Sequence, residues 1–438
     1  MKPKYVKKLL VSQIKTISKS PQDYCINPKS DFSRNRKLPF ERILTGIIGM
    51  GGGSLSNELV DIFNGSADVA SSSAFVQQRS KIKPEAFESI FKAFSNDISK
   101  EFNKDMRVLA VDGSDIHIAT NPDDKDSYFP RKNGANAYNL LHLNALYDLK
   151  NGIYQDAILQ KARVRNEHKA LVDMVDRSNI PSAVIIADRG YESYNNMAHI
   201  QEKGWKFLIR IKDGNVGIKS SLVLPETDSF DMDVNLNLTR KQTNETKLLF
   251  QDKNNYKYVA SSQTFDYLPL KNKKNEPVKF YKLSFRIVRF HISKDTFETV
   301  LTNLDKDMYP IEKIKELYAS RWGIETSFRA LKYTVGMLNF HAKKVMLIQQ
   351  EIYARMIMYN FAQMITSHVV IEQKQRKYTY KANFSVAVHM CQLFYRGKAT
   401  PADLEAIIAK NLIPIRPDRH RQRNLKVKGF RGFLYRVS

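Results

Sequence analysis

Cysteine is nearly absent: Cys25 and Cys391 are the only two in 438 residues. A disulfide framework and a cysteine-ligated zinc site are thereby set aside. Acidic residues are scarce beside basic ones, 45 against 70, which leaves a formal charge of +25. That surplus favours a polyanionic partner, nucleic acid or an anionic membrane surface. Long apolar runs are missing too. No stretch approaches the ~18 apolar residues of a membrane span. The opening MKPKYVKKLL has no apolar signal core and no small-residue cleavage site. The run Gly51-Gly52-Gly53 has no strand before it and no Gly-Lys-Ser/Thr after it, so it reads as a helix stop before a Ser54 cap, not a phosphate loop. These absences leave a cytosolic, nucleic-acid-associated protein without a membrane partner.

The length exceeds one small core and suggests about three domains. Residues 1–104 begin with a basic leader, ten Lys and Arg between Lys2 and Lys37 against Asp23 and Asp31. Helical patterns follow at Ile43–Ile48, at Leu55–Phe63 and from the Ser71-Ser72-Ser73 cluster, the last carrying Gln77, Gln78 and Arg79. Short helices with tight turns suit a helix-turn-helix-like DNA reader, with Arg79 able to reach a guanine edge. Generic helical packing explains the same pattern.

Residues 105–211 change character. The run Arg107–Val111 predicts a buried strand that stops at Asp112-Gly113-Ser114. Leu140–Leu149 and Gly152–Ala162 predict two strands of a hairpin turning at Asn151-Gly152. A helix over Glu167–Arg177, a buried strand Ala183–Ala187 ending at Asp188, another helix and a strand Trp205–Ile211 make a mixed α/β pattern. Residues 212–296 are polar and short of helical period, and the alternation in Val278–Ile292 marks them as a β-rich insertion. Residues 297–370 resume the core with a return strand and long helices. Residues 371–438 end in a basic segment from Arg416 to Arg436.

Ile311–Leu338 predicts one amphipathic helix with Leu317, Ile324, Phe328, Leu331 and Val335 on its apolar stripe. Tyr318, Arg321, Glu325 and Lys332 then fall in one arc roughly 60° wide. A solvated face with i,i+4 pairs accounts for such an arc by itself. Two upstream carboxylates change the balance. Asp112 and Asp188 each follow an apolar run directly and precede a turn, the edge where α/β sheets place ligands. Three clustered carboxylates repel one another and call for divalent ions. All-oxygen ligation favours Mg²⁺ or Mn²⁺, and two such ions serve phosphodiester chemistry. Asp115 is a rival to Asp112, and it points to the opposite side of the pleat if the strand continues. His117 and His142 read as structural.

The combination of Asp112 in VDGSD, Asp188 in ADRGY and Tyr318-x₂-Arg321-x₃-Glu325-x₆-Lys332 resembles the bacterial insertion-sequence transposases with a Tyr-Arg-Glu-Lys signature, the insertion-sequence-four-like group of the DDE recombinases. The resemblance covers about 107–340. It implies a ribonuclease-H-like catalytic core, with Asp112, Asp188 and Glu325 as the catalytic, metal-binding triad for two Mg²⁺ ions, Mn²⁺ substituting. It implies Tyr318, Arg321 and Lys332 as contacts to DNA phosphate. The expected partners are double-stranded DNA, both terminal inverted repeats and target, and a second copy of the chain as a homodimer. The expected location is the bacterial cytoplasm, at the nucleoid. The alternatives are a transposase-derived DNA-binding protein without strand transfer and a metal-dependent nuclease of the same fold.

Overall fold

The computed structural model describes all residues except 35, 104, 133, 135, 213–216, 271–275, 294–295, 374–377, 416–433 and 436–438. The basic residues from Arg416 to Arg431, and Arg436, therefore lie outside the described residues. Five helices come first: α1 (Pro3–Ser18), α2 (Phe40–Gly49), α3 (Leu55–Ile62), α4 (Ser72–Arg79) and α5 (Glu85–Lys100). Ser54 caps α3 through the Asn57 amide and Ser71 caps α4 through the Ala74 amide. The sheet and its helices follow as β1 (Arg107–Ile118), β2 (Tyr128–Phe129), β3 (Tyr138–Asp148), β4 (Ile153–Lys161), α6 (Glu167–Asp176), β5 (Ala183–Ala187), α7 (Tyr194–Glu202) and β6 (Lys206–Arg210). The insertion supplies β7 (Phe230–Thr239), α8 (Asn244–Leu249), β8 (Tyr256–Tyr258) and β9 (Tyr281–Ser293), and β10 (Thr296–Thr302) returns to the core. Helices α9 (Ile311–Ala319), α10 (Trp322–Arg329), α11 (Val345–Thr366), α12 (Phe384–Tyr395) and α13 (Pro401–Lys410) complete the order.

β3 and β4 pair antiparallel through the turn at Gly152, whose φ of +71° a side chain would strain. β1 pairs antiparallel with β3 and parallel with β5, and β5 runs parallel to β6. The order β4-β3-β1-β5-β6, antiparallel then parallel, is a ribonuclease-H-like core. The insertion does not stand apart as a sheet of its own. β10 pairs with β6, and β9, β7 and β8 extend the same sheet outward. The alternation Leu283, Phe285, Ile287 buries one face of β9 in the cluster that also holds Leu171, Tyr191 and Trp205.

Two sequence expectations require correction. β1 does not stop at Asp112 but runs on to Ile118, because ten consecutive residues from Leu109 to Ile118 find partners on β3. The Asp-Gly pair is therefore strand, not turn. The stretch 311–338 is not one helix either. It breaks between α9 and α10 at Ser320-Arg321 and ends in a π turn over Ala330–Thr334. Such widened turns re-aim side chains and collect at functional sites.

α11 is buried on nearly every side and joins the N-terminal helices to the sheet. Its buried Gln350, Glu351, Arg355 and Asn360 bond to groups from elsewhere in the chain. Arg79 has no exposed surface, its Nη1 lies 2.9 Å from Glu351 Oε1, and its Nε donates to Gln350 Oε1 at 2.9 Å. The expectation that Arg79 reads base edges is thus overturned. Its i+4 spacing from Phe75 puts it on the buried face of α4, where it neutralises an interior carboxylate. The glycine run is clamped by the same network: Gly51 and Gly53 amides donate to Glu58 Oε1, and His341 Nε2 meets the Gly53 carbonyl at 3.0 Å. Among the described residues no helix is long and apolar enough to cross a membrane.

Breaking a buried pair leaves the partner charge without compensation, at a cost of about 3–5 kcal/mol. Arg79→Ala should therefore lower unfolding stability by about that amount in denaturant titrations. Glu351 faces a large burial penalty, yet Arg79, His341 and Arg355 overcome it and hold the carboxyl down at about 2. A depressed carboxyl contributes stability above its unfolded pKa and loses it as pH falls toward the folded value. Wild-type stability should accordingly fade between about pH 4.5 and 2 by this route, and Arg79→Ala should flatten that limb. A variant with wild-type stability would refute the buried-pair account.

Candidate active site

The register of the parallel pair decides where the acidic groups stand. Ala110 pairs with Ile186, so Asp112 and Asp188, each two residues further on, reach the same level on adjacent strands. Asp188 ends β5 and caps the following turn, its Oδ1 accepting from the Gly190 amide at 2.8 Å. Asp112 Oδ1 accepts from the Gly113 amide at 2.8 Å. α10 packs against β1 and brings the third carboxylate. Arg321 Nη2 donates to Glu325 Oε1 at 2.8 Å, and its Nη1 lies 3.8 Å from Asp112 Oδ2. One guanidinium thus spans two of the three carboxylates, one from strand and one from helix.

Burial pushes the Asp112 carboxyl up to about 6, and repulsion from Asp188 and Glu325 adds to it. The Gly113 amide and Arg321 oppose the rise without cancelling it. This places all three acids within electrostatic reach of one another. Tyr318 is also buried, and its phenol is pushed up to about 12, chiefly by desolvation. It stays protonated at neutral pH and remains a hydrogen-bond donor. Asp188, Arg210, Glu298 and Arg321 are the charges it senses.

Lys332 does not lie along one helical edge with Glu325. The π turn redirects it, and its Nζ donates to the Asp115 carbonyl at 2.8 Å. Asp115 itself points to the other face of β1, as strand alternation requires. There its Oδ1 lies 2.6 Å from His142 Nδ1, while His142 Nε2 lies 3.0 Å from Glu167 Oε1. Burial lowers the imidazole pKa, but the two carboxylates outweigh it and the net shift is upward. Gly113 is required beside this ring, since a Cβ there would collide with His142. Sequence reasoning passed over this second cluster. Its signal was the antiparallel register of β1 and β3, which sets Asp115 opposite His142.

Among the described residues no three Asp, Glu, His or Cys side chains form a ready metal-binding group. The donor chemistry nonetheless fits a hard divalent cation: three carboxylates, oxygen-only, one of them raised chiefly by burial and further by its acidic neighbours.

The sequence profile described as Transposase DDE domain matches residues 103–361, more than half of the chain. Comparison with curated proteins finds no match. Among solved structures, the chain is similar to one described as the cryo-EM structure of piggyBac transposase synaptic complex with hairpin DNA. That likeness has a TM-score of 0.46 at 11% identity and covers 95% of this chain and 86% of that one.

A carboxylate whose folded pKa is raised loses stability as pH climbs past its unfolded value toward the folded one. Asp112, rising to about 6, penalises the folded state above that pH. Asp112→Asn should therefore melt higher than wild type at pH 7.5, by the equivalent of about 1–3 kcal/mol. The gap should close below about pH 4, where both side chains are neutral. A variant that melts lower at pH 7.5 would show that the charge is stabilised, not strained.

Proposed function

The chain belongs to the transposase DDE domain family, and from that premise we propose that it cleaves the terminal inverted repeats of its own insertion sequence and joins the ends to target DNA. The observation that supports this most is the convergence of Asp112, Asp188 and Glu325 on the sheet edge, two of them sharing Arg321. Asp112, Asp188 and Glu325 would hold two Mg²⁺ ions, or Mn²⁺ in their place. When bound, such ions activate a water or 3′-hydroxyl and stabilise the leaving oxygen of a phosphodiester.

The chain's own groups do the rest. Arg321 presents a planar fork suited to two oxygens of one phosphate, and it is already held at the acidic cluster by Glu325. Tyr318, kept protonated, adds a neutral donor. Lys332 supplies a point charge steadied by the Asp115 carbonyl. With a formal charge of +25, the surface favours duplex DNA, and its affinity should fall steeply as salt rises. The working form in this reading is a homodimer on DNA at the bacterial nucleoid. Residues 1–104 serve end recognition through exposed side chains such as Gln77, not through Arg79.

Asp112→Asn, Asp188→Asn and Glu325→Gln keep shape and remove charge. Each should abolish cleavage of element-end DNA while leaving binding to it within about twofold, since phosphate contacts by Lys and Arg dominate affinity. Mg²⁺ should raise the melting temperature of wild type but not of Asp188→Asn, a readout that needs no turnover. Full cleavage in excess chelator would end the metal assignment. Cleaved but never joined products would favour a nuclease of the same fold.

A further inference from the structure

A cavity of about 890 Å³ lies between α6, the start of α7 and the insertion. Its nearest wall, Glu192 and Ser193, follows Asp188 within five residues. Both carboxylates that line it are committed to building the wall. Glu192 accepts from the Lys212 amide at 3.2 Å and the Ile218 amide at 2.6 Å. Asp266 accepts from Asn195 Nδ2 and meets His199 Nε2, each at 2.8 Å. The ammonium groups of Lys212 and Lys257 have no carboxylate within ion-pair distance among the described residues. Burial, and then Lys253, lowers the Lys257 pKa, as expected where an ammonium has no counter-charge.

A further donor is fixed by the hydrogen-bond pattern. Asn196 Nδ2 lies 2.9 Å from the Tyr191 carbonyl, which can only accept, so that atom is the amide nitrogen. It lies 2.8 Å from His168 Nδ1, which therefore accepts and leaves the ring proton on Nε2. His168 is among the residues that line the cavity. Val172, Ile218 and Val259 supply apolar wall beside these polar groups. The balance is cationic, rich in donors, and partly apolar. Inorganic phosphate alone would leave the apolar wall unused, and a duplex is too wide to enter.

We propose that this cavity binds a single nucleotide unit, its phosphate held by Lys212 and Lys257 and its sugar and base set against the wall that includes His168 and Val259. The choice of a nucleotide rests on the transposase reading. The unit is either part of an unpaired DNA strand or a free nucleotide, since both carry the same chemistry.

The test uses the full chain, without divalent ions, and a labelled short oligodeoxythymidylate, with thymidine 5′-monophosphate, inorganic phosphate and a blunt duplex as competitors. Lys212→Gln/Lys257→Gln should weaken single-strand binding about tenfold and lower the slope of log K against log salt by about 0.7, the value for one neutralised phosphate. Duplex affinity should change less than about twofold, because the lost contacts lie inside the cavity. Thymidine monophosphate competing as well as the oligonucleotide identifies a free nucleotide. Competition by the oligonucleotide alone identifies a strand. Equal loss on single strand and duplex, no loss on either, or equal competition by inorganic phosphate overturns the site. His168→Gln, which keeps a donor amide but not the ring, provides a second variant should the double one melt early, and it should weaken the single strand selectively too. Asp188→Asn should bind the oligonucleotide normally. If wild type cuts no DNA yet the lysine variants still lose single-strand binding selectively, the transposase reading fails and the cavity stands.

Discussion

Three carboxylates cannot crowd together near neutral pH unless something supplies positive charge. Asp112 and Asp188 are forced to one level by the parallel register of β1 and β5, and Glu325 is delivered by α10. Arg321 is the chain's own answer. Its position at the break between α9 and α10 lets its fork reach Glu325 on the helix and Asp112 on the strand. The compensation is partial: burial first, and repulsion from Asp188 and Glu325 after it, leave the Asp112 carboxyl raised to about 6. Perturbed, clustered carboxylates of this kind collect at functional sites. The surrounding fold is packed tightly enough to keep them together.

That rigidity has an identifiable source. α11 carries Glu351, Arg355, Gln350 and Asn360 into the interior, and each is matched by a group from elsewhere in the chain. Arg79 comes from α4, the Met50 and Gly51 carbonyls from the loop after α2, and Ser95 and Tyr154 from α5 and β4. Buried polar networks of this kind fix one arrangement of packed elements, because any slippage leaves donors and acceptors without partners. The N-terminal helices are thereby registered against the same sheet that carries the acidic cluster.

Strand and helix existence was legible wherever apolar period was strong: Ala183–Ala187, the hairpin around Gly152, the alternation in Tyr281–Ser293. Asp188 at the exit of β5 and the Arg321–Glu325 pair at i,i+4 are local features that the chain shows directly, whereas the level of Asp112 beside Asp188 comes from the register of β1 and β5. What escaped was set by partners distant in sequence. β1 reads as ending at Asp112 because Asp-Gly is ordinary turn chemistry, yet β3 supplies a pairing partner as far as Ile118. The break at Ser320-Arg321 has no Pro or Gly before it to announce it, and tertiary contacts to β1 decide it. Arg79 looks like a surface reader because polar neighbours Gln77 and Gln78 surround it, while its counter-charge lies 272 residues on, at Glu351.

The insertion illustrates how topology converts a sequence interruption into a functional edge. Residues 212–296 look foreign to the α/β alternation, yet β10 hydrogen-bonds onto β6 and β9 onto β10, so the sheet continues through them. Pairing in register transmits position: a strand cannot shift along its neighbour by one residue without turning every buried side chain outward. Lys257, on β8 at the far margin of the sheet, is therefore held at a defined distance from β5 and the Asp188 turn, although it arrives by a long excursion of the chain. A hinged domain would leave that distance free. A continuous sheet fixes it, and this is what holds the Lys257 wall of the cavity at one distance from the wall that follows Asp188.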